Sequence, residues 1–147
     1  MNEAPVLALD GPGGSGKGTV ASRIAILRHW RILDSGALYR AFAFSAQQLG
    51  VLPDDLSGIQ RVLAETDFDF VVEKTGEVGI FVNGNDVTTA VRSPDAGLVA
   101  STYASQQSVR ECLISRQRFE RQAPGLVADG RDMGTVVFPD ATLKVFL

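Results

Sequence analysis

The 147-residue chain has one cysteine, Cys112, and that alone excludes an intrachain disulfide and a cysteine metal cluster. Lysine is scarce. Of 14 basic residues only Lys17, Lys74 and Lys144 are lysines, and the rest are arginine. That bias favours two-point contacts to phosphate or carboxylate, which a guanidinium makes and an ammonium does not. Positive charge is not in surplus: the net charge of −3 gives no general attraction to nucleic acid or anionic membranes, so neither is expected as a partner. No apolar run is long enough to span a bilayer and the first residues carry no secretory pattern, which makes a cytoplasmic protein the expectation. Repeats and low-complexity tracts are absent. What remains, at 45% hydrophobic and 21% charged residues, suits one globular domain with a real core.

Residues 11–19 read Gly11-Pro12-Gly13-Gly14-Ser15-Gly16-Lys17-Gly18-Thr19, directly after the apolar run 5–10. Gly11, four residues and Gly16-Lys17 have the spacing of a loop that cradles a nucleoside triphosphate. Glycines let main-chain N–H groups converge on phosphate, and a helix starting near Lys17 adds its positive dipole end. Lys17 would reach the β- and γ-phosphates.

Hydrophobic spacing organises the rest. A strand is predicted over about 5–10 and a helix over 17–28, with Val20, Ile24 and Leu27 covering the sheet. Ile32-Leu33 form a short strand ending at Asp34-Ser35-Gly36. A helix over 36–49 follows, with Leu38, Phe42 and Leu49 on one side and Gly50 at its end. Asp54, Asp55 and Ser57 start a third helix that runs to about 65. Period-two spacing over 68–72 and 78–82 predicts a β-hairpin, the candidate for a small inserted lobe at about 66–90. Residues 94–121 read as two helical pieces, and 126–129 and 143–147 as further strands. Strands separated by helices predict an α/β fold, three layers of helix, parallel sheet and helix. The turns after strands at Gly11, Asp34 and Asp129 would then share the sheet edge where such folds bind ligands.

A phosphate loop alone leaves GTPases, ATPases and small kinases open. Gly18 stands where a magnesium-binding hydroxyl is usual, and no Asn-Lys-x-Asp guanine signal occurs. Gly16-Lys17-Gly18-Thr19, Leu33-Asp34-Ser35-Gly36-Ala37-Leu38-Tyr39-Arg40, and residues 128–139 with Asp129-Gly130-Arg131-Asp132 together closely resemble bacterial cytidylate kinases, nucleoside monophosphate kinases with a P-loop. The resemblance runs along the whole chain and fits the bacterial type better than the eukaryotic UMP/CMP kinases.

The resemblance implies transfer of a phosphoryl group from ATP to CMP or dCMP, with Mg²⁺, in pyrimidine nucleotide metabolism. Residues 11–19 would bind ATP, and Lys17 and Arg131 would be catalytic. Arg40 and Arg131 follow two of the edge turns, where guanidinium groups can clamp an acceptor phosphate. Asp129, ending a buried strand that faces the loop, is the candidate magnesium ligand, through water. Ser35 would touch the acceptor nucleotide. Asp132, Arg110 and Ser101 match positions that bacterial cytidylate kinases use for cytosine, the carboxylate accepting from the base amine. Alternatives are a UMP or AMP kinase and a nucleotide-binding module without catalysis. Family members continue for about half this length again, so the chain is expected to be truncated before the mobile lid and to be a monomer when full length. His29 is expected at a helix end, Trp30, Tyr103 and Cys112 in packing, and Arg116, Arg118 and Arg121 on a solvated cationic helix end.

Overall fold

A computed structural model describes residues 3–147. Along the chain, β1 (Val6–Asp10) leads through the glycine loop into α1 (Lys17–Arg28), then β2 (Arg31–Asp34) and α2 (Ser35–Gln48). α3 (Leu56–Glu65) precedes β3 (Phe68–Val72), β4 (Val78–Val82) and β5 (Asn85–Asp86). The helices α4 (Thr88–Val91), α5 (Pro94–Ala104) and α6 (Gln107–Arg118) follow. β6 (Leu126–Gly130), one π-helical turn (Met133–Val137) and β7 (Leu143–Phe146) come last. The alternation read from the sequence is present. The additions are short: α4, β5 and the π-helical turn lack the length that makes a periodic signal. No helix among the described residues is long and apolar enough to cross a membrane.

The chain divides into two compact units. The first holds residues up to Ser35, Phe70–Val78 and Gln117–Leu147. Its frame is a four-stranded parallel sheet in the order β2-β6-β1-β7. β1 and β6 are buried along their whole length, so both read as continuous apolar runs ending in one acid each. Leu7, Leu9, Ile32 and Val127 pack with Ala21 and Ala25 of α1, and Ile24, Trp30, Phe70, Val72, Val78 and Val145 close around them.

The face of α1 differs from the expectation. Its buried residues are Ala21, Ser22 and Ala25, while Val20 is 42% exposed and Leu27 77% exposed. The loop before it fixes the rotation of the helix, and small side chains let its backbone approach the sheet closely. Periodicity counts apolar positions and cannot tell a small face from a large one. The helix ends at His29 in the left-handed conformation (φ 56°), and the Arg28 guanidinium lies 5.5 Å from the Trp30 ring centroid.

Arg118 is exposed, as expected, and Arg121 only partly so, but both are also held by hydrogen bonds. Arg118 donates to the carbonyls of Val136 and Val137, and Arg121 donates to Ala4 and pairs with Asp140 and Glu3. The buried carboxylate of Glu120 pairs with Arg31 at 2.7 Å.

The second unit holds Gly36–Asp69 and Gly79–Arg116. Leu38 and Phe42 of α2 are buried as expected, but Leu49 lies beyond the helix end and is exposed. Phe42 meets Tyr103 edge-to-face at 5.8 Å, and the Tyr103 hydroxyl donates to the Val51 carbonyl. Asp55 caps α3 by accepting from the Gly58 amide. Ser93 caps α5 in the same way through Ala96. Asn83 and Gly84 both take positive φ, the conformation that folds β5 back on β4 in a tight turn. Arg116 lies over the Phe68 ring and donates to the Phe68 carbonyl. Cys112 is half-buried rather than in the core, and desolvation, then the Glu111 charge, push its thiol pKa up.

Leu27→Ala is expected to change the unfolding free energy by less than about 0.5 kcal/mol, because the side chain meets mostly water. Phe42→Ala, at a fully buried site, costs about 3–5 kcal/mol. Urea denaturation of both variants measures this. A loss at Leu27 as large as that at Phe42 would restore the large-residue face for α1.

Candidate functional site

The parallel ladders set the level at which each strand ends. Asp34 is opposite Asp129 in the β2–β6 pairing, and Asp10 is opposite Gly130 in the β1–β6 pairing. Three turns therefore leave the same edge of the sheet in the first unit: the glycine loop after β1, Ser35 after β2 and residues 131–132 after β6.

The loop between β1 and α1 has the backbone its glycines allow. Gly14 (φ 77°) and Gly16 (φ 86°) take left-handed conformations that residues with a Cβ rarely adopt. Gly16 is the residue preceding α1, and no side chain caps that helix. Its first N–H groups are left for an anion. Residues 12–16 and 18–19 are exposed, while Gly11 is buried.

Lys17 and Asp129 meet across this edge. The Lys17 Nζ lies 2.8 Å from Asp129 Oδ1, an ion pair in which the carboxylate is 8% and the lysine side chain 17% exposed. A Cβ added at Gly18 would lie 3.6 Å from Asp129 Oδ2. Asp129 thus touches the phosphate loop at Lys17 and lies close to Gly18.

No group of three or more His, Cys, Asp or Glu side chains among the described residues would hold a metal ion unaided. A single buried carboxylate beside a phosphate loop fits magnesium nonetheless. That ion takes most of its ligands from phosphate oxygens and water and only one or two from carboxylates.

Asp10 is the residue that the sequence reading passed over. It is 5% exposed, and its carboxylate accepts from the Met133 amide at 2.8 Å and the Gly134 amide at 2.9 Å. Its signal in the sequence was the same as that of Asp129, an acid closing a buried strand just before a polar turn. Arg131 and Asp132 are exposed between Gly130 and the π-helical turn. The carboxyl of Asp132 is held above the ordinary range, first by desolvation and then by the charge of Asp10.

The other candidates fall as follows. Ser35 is buried at the start of α2. Arg40, Ser101 and Arg110 belong to the second unit. Arg40 donates through Nη1 to the carbonyls of Val91 (2.9 Å) and Ser93 (3.0 Å), and a Cβ on Gly97 would lie 2.8 Å from its Nη2. Ser101 is exposed on α5, and its hydroxyl donates to the Gly97 carbonyl. Arg110 donates to the Ala104 carbonyl and to Gln107 Oε1. Residues 11–19, Asp129, Ser35, Arg131 and Asp132 belong to the first unit, and Arg40, Ser101 and Arg110 to the second.

Comparison with known proteins gives the family. The family model described as cytidylate kinase matches residues 7–147. A cytidylate kinase of Pseudomonas entomophila (strain L48) is 51% identical over 147 residues, covering 99% of this chain and 64% of that protein. One of Pseudomonas putida (strain W619) is 50% identical with the same coverage, and one of Marinomonas sp. (strain MWYL1) is 48% identical over 100% of this chain and 65% of its own length. The chain thus spans just under two thirds of these relatives.

A raised carboxyl pKa has a sign. The protonated form of Asp132 stabilises the fold at pH below the ordinary aspartate value, and that contribution is lost as pH rises through the higher folded value. Asp132→Asn is therefore expected to raise the melting temperature at about pH 7, and the gain should shrink at about pH 3, where the wild-type carboxyl is also neutral. Calorimetry at the two pH values checks this. An equal gain at both would remove charge as its cause.

Proposed function

The chain belongs to the cytidylate kinase family, and from that premise we propose that it binds ATP and CMP or dCMP for phosphoryl transfer between them, giving ADP and CDP or dCDP. The observation that carries this reading is the pairing of Lys17 with Asp129 at the mouth of a glycine loop whose backbone is already set for phosphate.

The triphosphate would lie on residues 11–19, its charge met by main-chain N–H groups, the N-terminus of α1 and Lys17. Phosphate oxygens would compete with Asp129 for the Lys17 ammonium. Asp129 would then be the carboxylate that holds magnesium through water, and that ion, when bound, neutralises charge on the β- and γ-phosphates. On the acceptor side, Arg131 and Arg40 would clamp the monophosphate, with Ser35 against the nucleotide. Asp132 would accept from the cytosine amine, while Arg110 and Ser101 would serve its ring nitrogen and carbonyl. Residues of about 66–90 would form the insertion on that side.

The chemistry asks little else of the protein. A phosphate monoester is largely a dianion at neutral pH, so its attacking oxygen needs no general base. The γ-phosphorus–oxygen bond to the acceptor forms as the bond to the β-bridging oxygen breaks, and ADP leaves with that electron pair. What the side chains supply is charge neutralisation and alignment.

In the protein produced from its gene, ADP release with CMP, dCMP, UMP, AMP and GMP tests the reading. CMP or dCMP should be preferred, and preference for UMP or AMP would move the chain to another monophosphate specificity. Lys17→Ala should reduce turnover at least ~10²-fold without loss of fold, the size of losing one oriented electrostatic group. Arg131→Ala should weaken CMP by about 1.5–3 kcal/mol and leave a non-hydrolysable ATP analogue nearly unaffected, since a charge-assisted contact is removed on the acceptor side only. Titration calorimetry with both ligands decides it, and equal losses would place Arg131 on the donor side.

A further inference from the structure

An aspartate at the residue before a helical turn ordinarily spends its carboxylate on that turn's first N–H groups. Asp132 stands at that position before Met133–Val137 and makes no side-chain cap bond. The cap comes from another strand. Asp10, closing β1, takes the Met133 and Gly134 amides with its two carboxylate oxygens, one each. It is nearly fully buried, so these two bonds are what compensates its charge locally. The turn itself is tight: the Val136 and Val137 amides both donate to the Asp132 carbonyl. The backbone of Asp132 is thereby fixed on one side by its own turn, and that turn is anchored by Asp10. A Cβ on Gly134 would lie 3.4 Å from Asp10 Oδ2 and 3.1 Å from Lys144 Cγ, so the anchored segment has little room to shift.

We propose that Asp10 is a positioning residue for base recognition: by capping the turn after Asp132 from the neighbouring strand, it releases the Asp132 carboxylate for the acceptor base. This rests on the reading of Asp132 given above. The electrostatics agree, because the Asp10 charge is felt at Asp132. With the Met133 and Gly134 amides taken by Asp10, the Asp132 carboxylate caps neither of them, and the backbone contact it keeps is to its own residue. Without Asp10, the vacant amides of Met133 and Gly134 would draw Asp132 back as a local cap.

The test compares Asp10→Asn, Asp132→Ala and the double variant in the protein produced from its gene, with CMP and UMP as acceptors. An asparagine keeps one accepting oxygen and loses the second bond and the charge. Asp10→Asn should lower the CMP:UMP ratio of kcat/KM about tenfold, the size of one oriented hydrogen bond, through KM for CMP and with KM for ATP little changed. In the Asp132→Ala background it should lower the ratio no further. If Asp132→Ala lowers the ratio and Asp10→Asn does not, the inference fails and the base-reading role of Asp132 stands. If Asp132→Ala leaves the ratio unchanged, both fail. A ratio that falls additively in the double variant makes Asp10 merely structural and overturns the inference. Should Asp10→Asn not fold, wild-type NMR decides. The Met133 and Gly134 amides should exchange slowly, and the Asp132 carboxyl carbon should shift on adding CMP but not UMP. Fast exchange, or a carboxyl signal indifferent to CMP, would overturn the proposal.

Discussion

β6 lies between β2 and β1, and the parallel ladders on its two sides hold every turn of the first unit's candidate site at one level. Parallel pairing needs crossovers, and α1 with its glycine loop is one of them. A slip of one residue in either ladder would turn Asp129 away from Lys17 and Asp10 away from the Met133 amide, since alternate residues face opposite sides of a sheet. The buried apolar residues Leu126, Val127 and Ala128 resist that slip, because each would exchange its packing face. Core packing and site geometry are in this sense one constraint.

Among the described residues, the buried carboxylates of the first unit are matched by partners. Asp10 faces two backbone amides, Asp129 faces Lys17, and Glu120 faces Arg31 toward the opposite ends of the strands. A buried carboxylate without such partners would be severely destabilising. The three solutions differ in function. Amide partners are fixed and make a brace. A lysine on a flexible stem makes a looser pair with Asp129 than two fixed amides make with Asp10. Arg31 is half-exposed and fastens the segment after α6 to β2.

Arginine dominates the basic residues, and its uses divide along the same line. Arg118 and Arg121 spend their donors on carbonyls and carboxylates of their own unit, fixing the segments they touch. Arg40 and Arg110 also hold backbone carbonyls, yet a guanidinium has five donors, and these bonds orient the rest of the fork.

The sequence by itself determined the phosphate loop, the order of strands and helices, the hairpin and the three edge turns, because each is written locally. Gly14 and Gly16 permit a backbone that others resist, and apolar runs of four to six residues bury strands wherever the chain takes them. Family membership was legible for the same reason, from motifs contiguous in the chain. Tertiary structure alone decided the rest. That α1 buries Ala21 and Ala25 instead of Val20 and Leu27 depends on how closely the helix approaches the sheet. That Arg118 and Arg121 are anchored depends on carbonyls from distant residues. That Asp10 braces the turn beyond Asp132, more than a hundred residues later, depends on β1 lying beside β6, a neighbour relation that no local pattern encodes.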